Sequence, residues 1–310
     1  MAIQPSRTAI REQLACQYIA STSMANKHYQ LLDFGSGRKL EQFGSVVLDR
    51  PCPAADFQVK RDPQLWSKAD VVLPIEDGRP RLPSHWPVEF LLQQDSPRIS
   101  LELGLKLTPF GHVGVFPEQF AQWRWLVDQV TRATQSTHTP VRALNLFAYT
   151  GGSTLSLATA GAHVTHVDAS APSVAWAREN ATANHLEGHP IRWIVEDASK
   201  FVAREIRRGN AYDIIVLDPP SYGHGPSGKA WNLSDHWEDL FSGCMKLLES
   251  SLIGRLLWTG HSDMPSPQML EHLLDNLGWQ TETGRSQLQD NAERFLDAGF
   301  YVRAIRRGQA

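Results

Sequence analysis

Three aspartates each come at the end of an apolar run in the second half of the sequence. Asp168 ends "HVTHVD", Asp197 follows "IRWIVE" and Asp218 ends "YDIIVLD". The carboxyl ends of parallel strands meet at one edge of a sheet, so three such acids would share that edge. A carboxylate there can accept hydrogen bonds from ribose hydroxyls or from a base amine. Capping of the following helix would explain any one of these acids alone.

The turn "AYTGG" lies about 20 residues before Asp168, the spacing at which an acid accepts the ribose hydroxyls of a nucleotide held by the turn. Gly151 and Gly152 let the backbone approach a ligand closely because they carry no Cβ. Phe147 and Tyr149 stand where a dinucleotide-binding turn tends to have glycine, which disfavours NAD. The pattern predicts an adenosine-containing ligand, although a strand-to-helix turn in any α/β protein can also require glycine.

The segment "DPPSYG" follows the fourth predicted strand of this region. Pro219 and Pro220 fix φ after Asp218 and so set the directions of the carbonyl groups in the turn. Tyr222 adds an aromatic face that can stack on a planar base. Rigid acceptors beside a stacking ring suit a substrate with an exocyclic amine, whose nitrogen must be held in line with an electrophilic carbon. The alternative is a stiff surface turn with an exposed tyrosine.

The elements that must position these residues alternate between strands and helices after residue 140. This rhythm predicts βαβ units and a mostly parallel sheet. Two extended segments near the C-terminus, 279–287 and 300–306, have no full helix between them, so we expect an antiparallel pair at one sheet edge. The other predicted strands lie near residues 141–147, 163–167, 191–195, 212–217 and 252–259.

The sequence before residue 117 has a different character. Residues 1–28 predict a partly helical arm. Residues 29–116 contain short apolar runs separated by glycine and proline turns, which is typical of a small β-rich domain. Residues 117–310 predict the α/β domain, which begins with an amphipathic helix in "FPEQFAQWRWLVDQVTRATQ".

The composition is that of a globular protein, with 310 residues, 42% hydrophobic and 20% charged, and a net charge of −3. This charge does not favour nucleic-acid binding through bulk electrostatics, but it leaves room for a local basic patch. No apolar run has membrane-spanning length and no signal-peptide pattern is present, so we expect a cytoplasmic protein without membrane contact. Cys16, Cys52 and Cys244 are too scattered for a disulfide framework or a zinc site, and we expect no metal.

The motifs "NLFAYTGG", "VTHVDAS", "VEDASKF" and "DPPSYG" in combination resemble the class I S-adenosylmethionine-dependent methyltransferases. Within that class, about residues 103–306 are most similar to the bacterial large-subunit ribosomal RNA methyltransferases of the cytosine-5 and guanine-N types. The segment "LKLTPFGHVGVFPEQ" resembles the T-G-F-F-x-D-Q segment of that branch, which lies over the cofactor. The resemblance implies a Rossmann-like, seven-stranded, mostly parallel sheet with one reversed strand, preceded by the small β-rich domain.

Carried over position by position, the resemblance implies the contacts of S-adenosylmethionine. Asp168 would take the ribose hydroxyls, and Asp197 with the backbone of Ala198 would take the adenine. Gln119 corresponds to the glutamine of the preceding segment, while Glu118 replaces its aspartate. The methionine end of the cofactor would be lined by Asn145, Phe147, Tyr149, Thr150 and Gly151, with Asp218 bordering the methyl group.

The catalytic positions implied by the resemblance are Asp218, Pro219 and Pro220 beside the methyl group, with Tyr222 on the substrate side. The chemistry needs neither a metal nor a protein nucleophile, because a sulfonium is already an activated leaving group. Methylation at carbon 5 of cytosine does require a thiolate. The relatives of that type have a cysteine after the fifth strand, where this sequence reads "LLWTGHS", and Cys244 has the helical spacing of a core residue. Transfer to nitrogen is therefore favoured.

The partner that the resemblance implies is RNA, specifically a base in ribosomal RNA. One alternative is an N-methyltransferase that acts on a protein or a small molecule. A nicotinamide-dependent oxidoreductase would instead prefer NADH to S-adenosylmethionine, which the crowded "AYTGG" turn disfavours. A non-catalytic module that binds the cofactor or RNA would leave methylation unchanged when Asp218 is replaced.

Overall fold

The computed structural model describes residues 28–75, 82–94, 98–108, 111–137, 139–224, 230–261 and 264–307. The predicted N-terminal arm lies outside the described residues except for its last position. No helix in these stretches is long and apolar enough to cross a lipid bilayer.

Six strands are described before the α/β part of the chain: β1 (Tyr29–Gly35), β2 (Arg38–Phe43), β3 (Val46–Pro51), β4 (Val71–Val72), β5 (Trp86–Gln93) and β6 (Ile99–Leu105). The first four form one sheet, called the N-terminal sheet below, in which β1 to β3 are antiparallel and β4 is parallel to β3. β5 and β6 form an antiparallel hairpin. The β-rich character expected before residue 117 is thus present.

The turn between β1 and β2 shows how the sequence produces these hairpins. Gly35 pairs with Arg38, so the connection consists of Ser36 and Gly37 alone. Their φ angles are 53° and 71°, and a type I′ turn requires positive φ at both positions. Gly37 adopts such an angle without strain and Ser36 occupies the other position, so this two-residue turn fixes the register of the two strands.

The rest of the chain alternates helices and strands, beginning after a 3₁₀ turn at Pro117–Gln119. The elements are α1 (Phe120–Thr137), β7 (Arg142–Leu146), α2 (Gly152–Thr159), β8 (His163–Asp168), α3 (Ala171–Ala183), β9 (Ile191–Val195), α4 (Ala198–Arg207), β10 (Ile214–Leu217), β11 (Tyr222–His224), β12 (Ala230–Asn232), α5 (Leu233–Leu248), β13 (Arg255–Gly260), α6 (Pro267–Asn276), β14 (Trp279–Gln289) and β15 (Phe295–Arg306). β11 and β12 pair with each other outside the main sheet.

The main sheet has seven strands in the order β14–β15–β13–β10–β7–β8–β9. The five strands from β13 to β9 are parallel, and β15 runs antiparallel to both of its neighbours. The prediction of a mostly parallel sheet with one reversed strand and an antiparallel pair at its edge is confirmed.

The β5–β6 hairpin packs directly on helices of the α/β part. Trp176 of α3 donates from Nε1 to the carbonyl oxygen of Gly104 over 2.7 Å, and the Gly104 N–H donates to Oδ1 of Asn180 over 2.9 Å. Phe90 packs edge-on against Trp123 of α1, with ring centroids 5.4 Å apart. The segment that connects β6 to α1 is therefore held close to the main sheet.

The N-terminal sheet is joined to the β14–β15 hairpin. Leu31 packs with Leu288 and Leu296 in a small apolar cluster. Arg294, in the turn of the hairpin, forms an ion pair with the buried carboxylate of Asp33 in β1. These contacts connect the first and last strands that the structure describes.

Candidate active site at the carboxyl edge of the sheet

A cavity of about 510 Å³, called the edge cavity below, opens at the carboxyl ends of the parallel strands. This is where ligands bind in open α/β sheets. The register brings the strand ends level, because Leu146 of β7 pairs with both Leu217 of β10 and Val167 of β8. Nine of the residues predicted from the sequence line this cavity: Gln119, Phe147, Tyr149, Asp168, Asp197, Ala198, Asp218, Pro219 and Pro220.

The turn after β7 has an unusual backbone. Phe147 and Tyr149 have φ angles of 56° and 49°, which non-glycine residues rarely adopt, and Gly151 has a φ of 94°. Such strain persists where the surrounding contacts impose it. The Tyr149 N–H donates to Oδ2 of Asp168 over 2.8 Å. The acid at the end of β8 therefore also holds the turn that faces the cavity.

Asp168 retains acceptor capacity for a ligand. Its Oδ2 accepts from the Tyr149 N–H and its Oδ1 from the Ser170 N–H, each over 2.8 Å. Burial raises the pKa of Asp168, and these two hydrogen bonds oppose the rise. An ionised carboxylate has about four acceptor positions, so about two remain for the hydroxyl groups of a ligand.

Asp197 caps the N-terminus of α4, because its Oδ1 accepts from the Lys200 N–H over 2.9 Å. Ala198 is the first residue of that helix and is buried beside the cavity. Backbone N–H groups in the first turn of a helix have no partner within the helix, so they can donate to a ligand. The structural role of Asp197 as a cap is thus compatible with a place in a binding site.

Asp218 is held by two side chains from other parts of the chain. Its Oδ1 accepts from Thr259 Oγ1 over 2.6 Å, and its Oδ2 accepts from Gln119 Nε2 over 3.2 Å. Gln119 also donates to Thr259 Oγ1 over 3.1 Å. Burial raises the pKa of Asp218, whereas the Thr259 hydrogen bond, nearby His261 and the Gln119 hydrogen bond lower it. The position of this carboxylate is fixed from two sides.

Asn145 and Thr150 line a smaller void of about 40 Å³ instead of the edge cavity. Nδ2 of Asn145 donates to Thr154 Oγ1 over 2.9 Å, and Thr150 Oγ1 donates to the carbonyl oxygen of Gly114 over 2.6 Å. Both side chains are buried. They hold the turn after β7 against α2 and against the segment that precedes α1.

Gly151 and Tyr222 line neither of these spaces. Gly151 is the N-cap residue of α2, in a left-handed conformation that glycine adopts without strain. Tyr222 begins β11 and is 78% exposed, while Pro220 and Gly223 beside it line the edge cavity. The stacking of Tyr222 on a base remains a prediction.

Several residues of the site were not identified from the sequence. Phe116 lies 5.6 Å from the ring of Tyr149, and Trp231 lies 5.3 Å from the ring of Phe147, both as centroid distances. Trp231 follows a glycine-rich segment without periodicity, so no sequence pattern predicts its place in the site. Thr259 does offer a signal, because it is a polar residue near the end of an apolar run that forms the strand beside β10.

Cys244 packs in the core, as its helical spacing predicts. It is fully buried on α5 and lies in one apolar cluster with Leu240 and Leu247. Burial raises the pKa of its thiol far above the ordinary value, so the thiolate is scarce at neutral pH.

The sequence matches no known protein-family profile. A solved structure of an S-adenosylmethionine-dependent methyltransferase from Agrobacterium tumefaciens is 34% identical, with a TM-score of 0.79 over 91% of each chain. A methyltransferase structure from Streptococcus mutans has a TM-score of 0.62 over 98% of this chain and 83% of its own, but at 17% identity it shows the fold alone.

Curated relatives match a shorter part of the sequence. The ribosomal RNA large subunit methyltransferase K/L of Shewanella baltica is 31% identical over 122 residues, which are 39% of this chain and 16% of the relative. The ribosomal RNA large subunit methyltransferase K of Neisseria meningitidis is 34% identical over 113 residues, which are 35% of this chain and 31% of the relative. The chain thus spans less than a third of the length of either protein.

Proposed function

The chain belongs to the S-adenosylmethionine-dependent methyltransferases, and on that premise we propose that it methylates a base nitrogen in ribosomal RNA. The names of the curated relatives support the substrate class. The carboxylate of Asp218, held by hydrogen bonds at the edge cavity, supports nitrogen as the acceptor atom.

The residues around the edge cavity fit the cofactor. When bound, S-adenosylmethionine supplies a methyl group on a sulfonium, which is an activated leaving group. Asp168, with its unused acceptor positions, would accept the ribose hydroxyls. The backbone of Ala198 and the carboxylate of Asp197 would bind the adenine at the start of α4. Phe147 and Tyr149, with Gln119, would enclose the methionine end.

The observation that carries the proposal is the hydrogen-bonded cluster of Asp218, Thr259 and Gln119. A carboxylate fixed by two donors can still accept an N–H of the acceptor base, and the prolines after it set the path of the turn. This would hold the nitrogen lone pair in line with the methyl carbon, which is the main contribution that a protein makes to such a transfer. Cys244 offers no thiolate for attack on a ring carbon, because it lies in the core.

The test uses RNA from a strain that lacks the gene, the purified protein and S-adenosylmethionine with a labelled methyl group. We expect label in ribosomal RNA, on a nitrogen of one nucleoside after digestion and chromatography. Asp218→Ala should reduce transfer by at least about 100-fold, because it removes a fixed acceptor at the reacting nitrogen. Label confined to protein or small molecules, or full activity of Asp218→Ala, would contradict the proposal.

A further inference from the structure

A second cavity, of about 700 Å³ and called the side cavity below, adjoins the edge cavity. Its walls come from parts of the chain that are distant in sequence. The N-terminal sheet contributes Lys39 and Arg50, the β14–β15 hairpin contributes Leu288 and Leu296, and the segment before α1 contributes Phe116. Ligand sites in proteins have volumes of about 300–1,000 Å³, so this space can take a nucleoside.

The two cavities meet at four residues that line both of them: His112, Phe116, Glu118 and His261. Gln119, next in the chain, hydrogen-bonds to Asp218. A molecule that occupies the side cavity can therefore extend one group into the edge cavity, toward Asp218.

Glu118 lies at this junction and has an unused acceptor atom. Its Oε2 is buried and has no hydrogen-bond partner among the described residues. Nearly all buried polar atoms in native proteins have a partner, so an orphan acceptor indicates a donor that comes from elsewhere. Burial raises the pKa of Glu118, whereas Lys39, a hydrogen bond from the backbone of Glu118 itself and His261 oppose the rise.

The other donors near Glu118 serve Glu41 in β2. Lys39 Nζ lies 3.1 Å from Oε1 of Glu41, and Arg50 Nε donates to its Oε2 over 2.8 Å. The hydroxyl of Tyr29 also donates to Oε1, over 2.9 Å. Glu41 raises the pKa of Glu118 by the repulsion of like charges. The chain thus satisfies one buried acid fully and leaves Oε2 of the other open.

We propose that the side cavity binds the acceptor nucleoside and that Glu118 binds the second N–H of its reacting exocyclic amine, beside the N–H held by Asp218, and accepts the proton; this rests on the proposed function. The acceptor nitrogen forms a bond to the methyl carbon while the carbon–sulfur bond of the sulfonium breaks and its electron pair stays on sulfur. The proton of that nitrogen passes to Oε2 of Glu118, which becomes a neutral carboxylic acid. The positive charge lost from sulfur is thus released as this proton.

The lining of the side cavity fits a planar base joined to a phosphate. Phe116 provides an aromatic face beside His112, with ring centroids 5.5 Å apart, and Leu288 adds apolar surface. Arg285 lies on the wall in an ion pair with Asp297. Its guanidinium has five N–H donors, more than one carboxylate uses, so it can also bind a phosphate oxygen.

The first test replaces Glu118 by Gln, which keeps the size of the side chain and removes the proton acceptor. We expect unchanged affinity for S-adenosylhomocysteine, and a kcat for methyl transfer to the deficient RNA that falls by about 100- to 10,000-fold. Wild-type activity should fall as the pH drops through the raised pKa of Glu118. The activity of the variant should not show this decrease. Glu238→Gln, an exposed acid on α5, is the matched control.

The second test uses Cys52, a partly buried free thiol on the wall of the side cavity. N-ethylmaleimide labels accessible cysteines, and mass spectrometry of peptides distinguishes Cys52 from Cys16. We expect the deficient RNA to slow the labelling of Cys52 at least about fivefold at saturation, because bound RNA blocks access. S-adenosylhomocysteine alone should leave the labelling rate unchanged.

The outcomes separate the two proposals. A wild-type protein that transfers no methyl group to any RNA contradicts the proposed function and, with it, the acceptor site. An active wild type together with a fully active Glu118→Gln variant contradicts the role of Glu118 alone. Labelling of Cys52 that RNA does not slow contradicts the side cavity as the acceptor site, whatever the kinetics of the variant.

Discussion

Gln119 and Asp218 are 99 residues apart in the chain, yet Nε2 of the first donates to Oδ2 of the second over 3.2 Å. Gln119 ends the 3₁₀ turn that leads into α1, and Asp218 begins the turn after β10. The bond therefore joins the segment before the α/β part to a strand end within it. Substitutions along this connection should affect both stability and methyl transfer.

Asp168→Asn should weaken the binding of S-adenosylhomocysteine by about 10- to 100-fold. Hydrogen bonds to a charged group contribute about 1.5–3 kcal/mol, and the amide is neutral and has one acceptor oxygen instead of two. Calorimetric titration measures the change. Asp213→Asn is the matched control, because Asp213 also accepts a backbone N–H, from Arg142, but at the opposite edge of the sheet. If the wild type, Asp168→Asn and Asp213→Asn bound S-adenosylhomocysteine with equal affinity, the contact between Asp168 and the ribose would be contradicted.

Thr259→Val should reduce the free energy of unfolding by about 1–3 kcal/mol, because it leaves the enclosed Asp218 without its 2.6 Å donor. Methyl transfer should fall as well, since that hydrogen bond lowers the pKa of Asp218 and favours the ionised form. Urea denaturation and initial rates provide the two measurements. Thr131→Val removes a hydroxyl that donates to the Val127 carbonyl oxygen of its own helix. An effect no larger than in that control would refute the prediction.

Glu118→Gln should stabilise the protein at about pH 8 and have little effect at about pH 4. Burial raises the pKa of Glu118 in the folded state, so the wild type loses stability as the pH rises through that pKa. Below the ordinary glutamic acid pKa of about 4.3, the wild-type side chain is neutral in both states. Melting temperatures across this range should separate the two proteins progressively. A constant difference at every pH would show that the effect is not electrostatic.

His166→Gln should make the protein less sensitive to acid. Burial, with a smaller contribution from Arg178, lowers the pKa of His166 to about 3, whereas an unfolded histidine has a pKa of about 6.5. As the pH falls below about 6.5, only the unfolded state gains this proton, so the wild type loses about 1.4 kcal/mol per pH unit. The variant lacks that loss. Urea denaturation at about pH 7, 6 and 5 measures the two slopes.

The matched control for this acid effect is His163→Gln, an exposed residue at the start of the same strand. It should keep the wild-type slope. In the His166→Gln variant the new amide can still meet Thr154, whose Oγ1 lies 2.9 Å from Nδ1 of His166 in the wild type. If the free energy of unfolding changed equally with pH in His166→Gln and in the wild type, the acid sensitivity would come from another part of the molecule.

The fold was largely predictable because its signals are local. Each signal depends on residues that are close together in the chain. Examples are the apolar run before Asp218, the turn before Gly152 and the spacing from that turn to Asp168. The reversed β15 was also predictable, since the short connection after β14 favours an antiparallel pair. Strand and helix ends differ from the predicted positions by a few residues, where backbone hydrogen bonding decides the limit.

The remaining parts of the site depend on contacts between distant segments. The sequence marks Thr259 as a polar residue near the end of an apolar run, but it does not show that the hydroxyl reaches Asp218. The same holds for Glu118, whose open oxygen results from Lys39 and Arg50 pairing with Glu41 in another strand. Tyr222 is the opposite case. Its motif is distinctive in the sequence, but the direction of its side chain follows from the β11–β12 pairing. Motifs identify chemical groups, whereas tertiary packing decides which of them meet.

Asp33 of β1 and its ion-pair partner Arg294 are 261 positions apart. On the ribosome, Asp33 therefore emerges long before Arg294, and this ion pair forms only after nearly all of the described chain has been synthesised. The strand ends that carry Asp168 and Asp218 are synthesised earlier than β14 and β15. A nascent chain would thus acquire the strand ends that line the edge cavity before β14 and β15 complete the wall of the side cavity. The proposed acceptor site is thus the last part of the molecule that the order of synthesis completes.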